Sequence, residues 1–251
     1  MSARRNRSTH DHPPATGNGK PKASARALAN IIERSSRIQG PAATAYVERL
    51  RRANPDAAPA VIVSKLEKRY LGAVTASGAA VGSAALLPGV GTLAALSAAA
   101  GETAVFLEAT AFFALAVASV HGVPAENREL RRALVLAVLA GEDSKHPVAE
   151  LLGPGRTKGA WLAEGAASLP MPALADLNAR LLKRAVRRFT LRRSALLFGK
   201  MLPIGIGAVI GAIGNRLMGK KIVRNARNAF GAPPARWPVT LHLLPTIRDR
   251  N

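Results

Sequence analysis

Apolar residues recur at helical spacing along the chain, and this pattern predicts an all-α fold. The predicted helices cover about 25–39, 42–52, 60–87, 92–121, 125–143 and 172–200, with a further basic helix from 222. The Gly40-Pro41 pair predicts the break between the first two. We expect one helical domain over 25–230, preceded by a disordered basic tail (1–24) and followed by a C-terminal tail (231–251).

The chain is organised around an uncharged stretch, Gly72–Val120, which contains no Lys or Arg and only two acidic residues. Its sequence LPGVGT at 87–92 is typical of a tight reversal between two helices. Proline breaks the first helix, the glycines permit the turn, and Thr92 is a suitable N-cap for the second. The stretch therefore predicts a helical hairpin over 60–121. The turn residues are Pro88, Gly89, Gly91 and Thr92.

Small residues at helical spacing on both arms predict close contact between helix backbones. A second uncharged, glycine-rich segment, Met201–Gly214, carries a similar stripe that continues to Asn215, and we expect it to pack against the hairpin. The residues predicted to lie at these close contacts are Gly78 and Gly82 on the first arm, Ala94, Ala98 and Gly101 on the second, and Gly207 and Gly211 on the later segment.

The hairpin fits either a membrane or a protein core. The uncharged run from Leu71 to Gly101 is 31 residues long, but Pro88 divides it and leaves a first arm near the minimum for a span. Glu102 and Glu108 would each cost roughly 2.5–3.5 kcal/mol at mid-bilayer unless paired or protonated. A shallow or re-entrant hairpin is the favoured interpretation, and a hairpin buried in a soluble all-α domain is the alternative. Glu102, Glu108 and Asn215 are the predicted buried polar residues.

Positive charge is concentrated outside the hairpin. The net charge is +21, and residues 177–251 carry 16 basic residues against one acidic residue. The segment 172–200 predicts a basic amphipathic helix, which suits either an anionic membrane surface or an ordinary surface helix. The electrostatic field of this positive charge favours anionic partners, either lipid or nucleic acid. The candidate anion-binding residues are Arg180, Lys183, Arg184, Arg187, Arg188, Arg192, Arg193, Lys220 and Lys221.

The sequence contains no catalytic constellation that would identify a reaction. The absence of cysteine excludes disulfides, zinc–thiolate sites and thiol catalysis. The GPGRTKG segment at 153–159 lacks the spacing of a phosphate-binding loop. Glu102 and Glu108 are six residues apart, about 120° around a helix, so they need not share a site. We predict no catalytic residue, metal site or cofactor.

Several segments together resemble the EcsC protein family. They are LEKRYL (66–71), LPGVGT (87–92), GETAVFLEATAFFALA (101–116), RALVLAVLAGE (132–142) and LPIGIGAVIGAIGNRLMGKKIVRNARNAF (202–230). The family is named from an operon that also encodes an ABC transporter. The resemblance, which spans roughly 55–230, implies a helical, membrane-associated accessory role and no established reaction.

The concentrated positive charge, the predicted helical hairpin and the resemblance to the EcsC family together predict a membrane-associated accessory protein on the cytoplasmic side of the cell membrane. It would hold anionic lipid through basic helices and serve a membrane-protein partner such as a transporter. The alternative is a soluble all-α nucleic-acid-binding protein that uses the basic C-terminal region. Two Trp and two Tyr offer few stacking surfaces for bases, which disfavours that alternative.

Overall fold

The all-helical prediction is confirmed. The structure, a computed structural model, describes residues 23–84, 92–123, 127–144, 162, 169–198 and 206–238, and none of these lies in a β-strand. The helices are α1 (Ala23–Arg52), α2 (Pro59–Ala84), α3 (Thr92–Val120), α4 (Arg128–Ala140), α5 (Met171–Phe198) and α6 (Ile206–Phe230). A 3₁₀ turn, Gly141–Ser144, follows α4. The tail at 1–22, most of the connector at 145–168 and the turn residues Pro88, Gly89 and Gly91 lie outside the described residues.

The predicted break at Gly40-Pro41 is wrong, because α1 runs through it as one helix. The proline ring normally disfavours helical geometry in the preceding residue by clashing with that residue's main-chain N–H and Cβ. Gly40 has no Cβ, so that part of the clash is absent. Ile32, before the proline, and Val47, after it, are both buried in the same core. Shared burial on both sides of Pro41 therefore keeps the helix continuous.

Helix α3 lies at the centre of the core and packs against α1, α2, α4 and α6. Its C-terminal half is almost entirely buried, and Phe106, Leu115 and Val120 are among the largest fully buried side chains. Among the described residues, Gly101–Val120 alone is long and apolar enough to cross a membrane, but 61% of its most apolar window is buried within the protein. A core helix of a soluble protein meets the same criterion, so length and composition alone do not place this helix in a membrane.

Helix α4 completes the core with clear start and stop signals. Asn127 caps its N-terminus by accepting hydrogen bonds from the main-chain N–H groups of Glu129 and Leu130. At its other end Gly141 adopts a positive φ of 61° that favours glycine. Eight of its thirteen residues are buried, which accounts for its position between α3 and α5.

Helix α5 packs on α4 through a leucine face. Leu174, Leu177 and Leu181 of the predicted stripe are buried. Asn178 on the same face donates through Nδ2 to both the main-chain oxygen and the carboxylate of Glu129, at 3.0 and 2.7 Å. Over this part of α5, the apolar face predicted from the sequence therefore packs against the protein and not against a membrane.

The last described segment folds back onto the domain. Gly231, with a φ of 77°, ends α6 and redirects the chain. Trp237 then donates through Nε1 to the main-chain oxygen of Ala57 at 3.0 Å, and the Arg51 guanidinium lies 4.9 Å from the centre of the Trp237 ring. Residues 231–238, expected in the sequence to be part of a trailing tail, thus close over the α1–α2 connection.

Candidate membrane-contact site

Helices α2 and α6 form the most extensive helix pair in the described part of the fold. At its centre lie two predicted packing residues, Gly78 and Gly211. A Cβ atom built on Gly78 would lie 2.3 Å from the Gly211 oxygen, and one built on Gly211 would lie 2.3 Å from the Gly78 oxygen. Real Cβ atoms do not approach this closely, so only glycine permits the observed contact between the two backbones.

Two further contacts, both on the N-terminal side of Gly78 and the C-terminal side of Gly211, show that the pair is antiparallel. Asn215, one turn after Gly211, donates through Nδ2 to the main-chain oxygen of Val74 at 3.0 Å. Further along, Glu67 and Arg227 form a two-pronged ion pair, with Arg227 Nε 2.7 Å from Glu67 Oε1. The C-terminal end of α2 therefore lies beside the N-terminal end of α6.

This shared end carries an exposed apolar face on α6. Val209, Ile213 and Leu217 are 57%, 53% and 61% exposed and follow one another at four-residue spacing. At 100° per residue they occupy a sector of about 80° on the helix. Three large aliphatic side chains in one exposed row form a patch that is typical of an interaction surface rather than of scattered surface residues.

The neighbouring end of α2 is also exposed and uncharged. Gly72, Ala73, Ala76 and Ala80 face outward, and 72–84 contains no ionisable side chain. Thr75 donates its hydroxyl to the main-chain oxygen of Leu71 at 2.6 Å, so its donor is satisfied within the helix. This surface offers little that requires water.

Exposed charged residues begin farther from the shared end on α2 than on α6. At 1.5 Å per residue, Arg69 lies about 22 Å from the end of α2, and Arg216 and Lys220 lie about 15 and 21 Å from the start of α6. All three are exposed. We call the uncharged part of the pair, 72–84 and 206–215, the apolar tip, and the exposed Lys68, Arg69, Arg216 and Lys220 the basic collar.

Two predicted residues on α3 differ from expectation. Glu102 is buried, as expected, but Glu108 is exposed, so the prediction of a buried Glu108 is wrong. Gly101 is also exposed, and a Cβ added to it would meet nothing within 4 Å, so its predicted close contact is wrong. Both errors arise because α3 packs against α1 as well as α2, and this turns a different face inward from the one predicted.

The other predicted packing residues are distributed as follows. Gly82 is buried on α2, and Gly207 belongs to the first turn of α6. Ala94 and Ala98 belong to α3, but their side chains are outside the described set. Thr92 is the first residue of α3. Met201–Gly214 and the basic helix from 222 were expected as separate segments, whereas Ile206–Phe230 is one helix.

The predicted anion-binding residues do not all share one surface. On α5, Lys183 and Arg187 are exposed, Arg184 is half-buried, and Arg180 is paired with Asp176 at 2.9 Å. The backbone of α5 includes Arg188, Arg192 and Arg193, whose side chains are not among those described. On α6, Lys220 is exposed and Lys221 is half-buried. Lys220 is thus the predicted basic residue that the structure places beside the apolar face.

Two cavities border α2. One, of about 390 Å³, lies between α1, α2 and α3 and is lined by Gln39, Tyr46, Arg69, Glu108 and Phe112. The other, of about 440 Å³, lies between α2, α3 and α6, far from the apolar tip, and includes the Glu67–Arg227 pair.

His121 also lines the second cavity. Its Nδ1 lies 2.9 Å from the Val117 oxygen, which leaves its buried Nε2 without a hydrogen-bond partner. Across the described residues no group of three His, Asp or Glu side chains is arranged to hold a metal ion.

Sequence reasoning missed the outward row on α6 and the first cavity. The row was detectable, since Val209, Ile213 and Leu217 are spaced by four residues within a segment already predicted to be helical. The cavity was not detectable, because it brings together residues from three helices. In comparisons with protein-family models, curated proteins and solved structures, nothing matches this chain.

Proposed function

We propose that this protein is a membrane-associated helical accessory protein that inserts its apolar tip into one leaflet and holds anionic headgroups with its basic collar. The membrane would be the cytoplasmic face of the cell membrane, where anionic lipid attracts basic residues. The observation that carries the proposal is the exposed row Val209, Ile213 and Leu217, continued along the same helix face by Lys220 and Arg224. A polar surface helix would not place its exposed aliphatic side chains at one end and its cations at the other.

The dimensions support insertion to the depth of one leaflet. Half of a hydrocarbon core of about 30 Å is about 15 Å, and the headgroup layer extends a further 5–8 Å. The uncharged lengths of about 15–22 Å on the two helices match these values. The collar would then lie among the headgroups. This geometry favours a shallow or re-entrant mode over a full span.

Stable attachment to a membrane requires the free energy contributed by both the apolar row and the basic collar. Three aliphatic side chains contribute about 1–2 kcal/mol on insertion scales, and the four basic residues of the collar contribute about 4 kcal/mol near an anionic surface. Each is too weak alone for stable attachment, whereas together they reach the range in which two signals hold a protein on a membrane. We therefore expect binding that depends on both salt and the apolar row.

The resemblance to the EcsC family supports an accessory role beside a membrane protein such as a transporter. Under this proposal the apolar tip sets the depth of the domain, and the helices outside the membrane are available to that partner.

Vesicle co-sedimentation tests the proposal. At physiological salt we expect binding to vesicles that contain phosphatidylglycerol and much weaker binding to phosphatidylcholine alone. The double variant Ile213→Gln/Leu217→Gln should bind at least fivefold more weakly, because it removes two of the three side chains of the apolar row. The matched control is Val61→Gln, which changes an aliphatic residue that is 46% exposed on α2 at the opposite end of the pair. The control should bind like the native protein.

Two results would overturn the proposal. One is recovery of all the protein in the supernatant with anionic vesicles. The other consists of two observations made together. Random duplex DNA releases the vesicle-bound protein, and the native protein and the double variant bind DNA with equal affinity. The second result would establish the nucleic-acid alternative, since phosphate binding needs the cations and not the apolar row.

A further inference from the structure

The cavity between α1, α2 and α3 has an aromatic wall. Tyr46 on α1 and Phe112 on α3 meet edge to face, with ring centres 5.4 Å apart. Aromatic faces attract cations, most effectively where water is partly excluded. Within the protein itself, the Arg69 guanidinium makes such a cation–π contact, because it lies 5.7 Å from the centre of the Tyr46 ring.

The polar groups of this cavity are complementary to a molecule with two opposite charges. The Gln39 side-chain oxygen is buried and has no hydrogen-bond partner in the part of the chain that the structure describes. Glu108 adds an exposed carboxylate. On the cationic side, Arg69 donates one of its N–H groups to the Tyr46 hydroxyl, which fixes its position. Neither Arg69 nor Glu108 forms a salt bridge within the described residues.

The cavity lies at the outer edge of the headgroup layer if the apolar tip is inserted. Arg69 is about 22 Å from the end of α2, and Glu108 is about 24 Å from the start of α3 at Thr92. The hydrogen bond of 2.9 Å between Tyr70 and Thr110 places these parts of α2 and α3 side by side. Lipid headgroups occupy the layer between about 15 and 22 Å from the bilayer centre.

We propose that this cavity binds a phosphoethanolamine headgroup, a phosphate and a primary ammonium joined by two carbons, presented by a membrane lipid. Arg69 binds the phosphate, since a guanidinium matches phosphate oxygens in two-pronged geometry. Gln39 Oε1 and the Glu108 carboxylate accept hydrogen bonds from the ammonium, which lies against Tyr46 and Phe112. The proposal rests on the proposed membrane contact and adds a lipid specificity to it.

The same groups discriminate against phosphocholine. A trimethylated nitrogen retains the positive charge and the attraction to aromatic rings but has no N–H to donate. Gln39 Oε1 would then remain buried without a partner, which disfavours the complex. We expect about tenfold preference for phosphoethanolamine over phosphocholine.

The experiment compares vesicles that share a fixed fraction of phosphatidylglycerol and differ only in the second lipid, phosphatidylethanolamine or phosphatidylcholine with the same acyl chains. The native protein should prefer the ethanolamine lipid, and Glu108→Gln and Gln39→Leu should each reduce the preference to within about twofold. Glu48→Gln, at another exposed carboxylate on α1, should retain it. Unchanged thermal unfolding of each variant checks that the fold is intact.

Equal binding of the native protein to both vesicle types overturns the inference while leaving the proposed function in place. A preference that persists in both cavity variants also overturns it, because bilayer packing would then be the cause. If no vesicle binds, the proposed function fails, and calorimetric titration with free phosphoethanolamine decides the remaining question. Binding that Glu108→Gln abolishes supports the site with a soluble ligand, and the absence of binding overturns it.

Discussion

Gly78 and Gly211 meet backbone to backbone, and each would place a Cβ atom 2.3 Å from the carbonyl oxygen of the other. This contact sets the distance between α2 and α6. Because both surfaces of the apolar tip belong to these helices, the contact also determines its width.

Alanine at either glycine should separate the two helices. For Gly78→Ala or Gly211→Ala we expect a loss of about 1–3 kcal/mol in the free energy of unfolding, since the clashing atom is main chain and cannot rotate away. Urea denaturation followed by circular dichroism measures the change. Gly72→Ala is the control, because a Cβ there meets nothing within 4 Å and alanine favours a helix by about 0.5–1 kcal/mol over glycine. If all three variants shifted the urea midpoint alike, the clash would not be the cause.

Asn225 joins α6 to α4 and should contribute more to stability than its neighbour Asn228. Asn225 is buried and donates through Nδ2 to the main-chain oxygen of Val138 at 2.9 Å. Asn228, three residues later, is exposed and reaches Glu142 at 3.1 Å. We expect Asn225→Ala to lower the free energy of unfolding by about 1–2 kcal/mol and Asn228→Ala by less than about 0.5 kcal/mol. A reversed order in thermal or urea unfolding would contradict this assignment.

The Glu67–Arg227 pair should respond unequally to removal of its two members. The Glu67 side chain is 9% exposed and the Arg227 side chain is 66% exposed, and the carboxylate raises the pKa of Arg227 through a hydrogen bond and charge attraction. Arg227→Ala leaves a carboxylate buried without its partner, at a cost of about 1–3 kcal/mol. Glu67→Gln leaves an arginine that water can solvate, at a cost below about 1 kcal/mol. Equal losses in urea unfolding would show that solvent access does not distinguish the partners.

Tyr70 should make the protein less stable at alkaline pH. Burial raises the pKa of Tyr70 above its ordinary value, and its hydrogen bond to Thr110 opposes this only in part. Below about pH 10 both folded and unfolded chains keep the phenol proton, so this group adds no pH dependence. Above that value the unfolded chain loses the proton while the folded chain retains it, so stability falls by up to about 1.4 kcal/mol per pH unit.

Tyr70→Phe provides the measurement for this alkaline effect. Its free energy of unfolding should fall less steeply between pH 10 and 12 than that of the native protein. At neutral pH the variant should lose about 0.5–1.5 kcal/mol, because Thr110 keeps its hydrogen bond to the Phe106 oxygen at 2.7 Å. Parallel curves for the two proteins across the alkaline range would show that Tyr70 does not titrate on unfolding.

Local spacing was sufficient to predict most helices. The row Ile62, Leu66 and Tyr70 on α2 is buried, and so is the row Leu174, Leu177 and Leu181 on α5. In each case burial follows a three- or four-residue period that the sequence displays directly. The all-α class follows from the same signal.

The choice of neighbours could not be predicted in this way. The row of small residues on α2 can pack closely against any helix that also has small residues. The sequence therefore does not show whether α3 or α6 approaches Gly78. The errors at Gly101 and Glu108 have this origin, because the side of α3 that faces inward depends on α1. The break expected at Pro41 was wrong for a similar reason, since burial at Ile32 and Val47 acts from outside the local sequence.

The pairing of α2 with α6 also has a consequence for synthesis. Val74 and Asn215 are 141 residues apart in the chain. At about 5–20 residues per second, α2 leaves the ribosome roughly 7–28 s before the helix that covers it. During that interval one of the least charged surfaces of the nascent chain has no partner within the protein. We expect biosynthesis to depend on an external binder, a chaperone or the bilayer itself, before the domain can close.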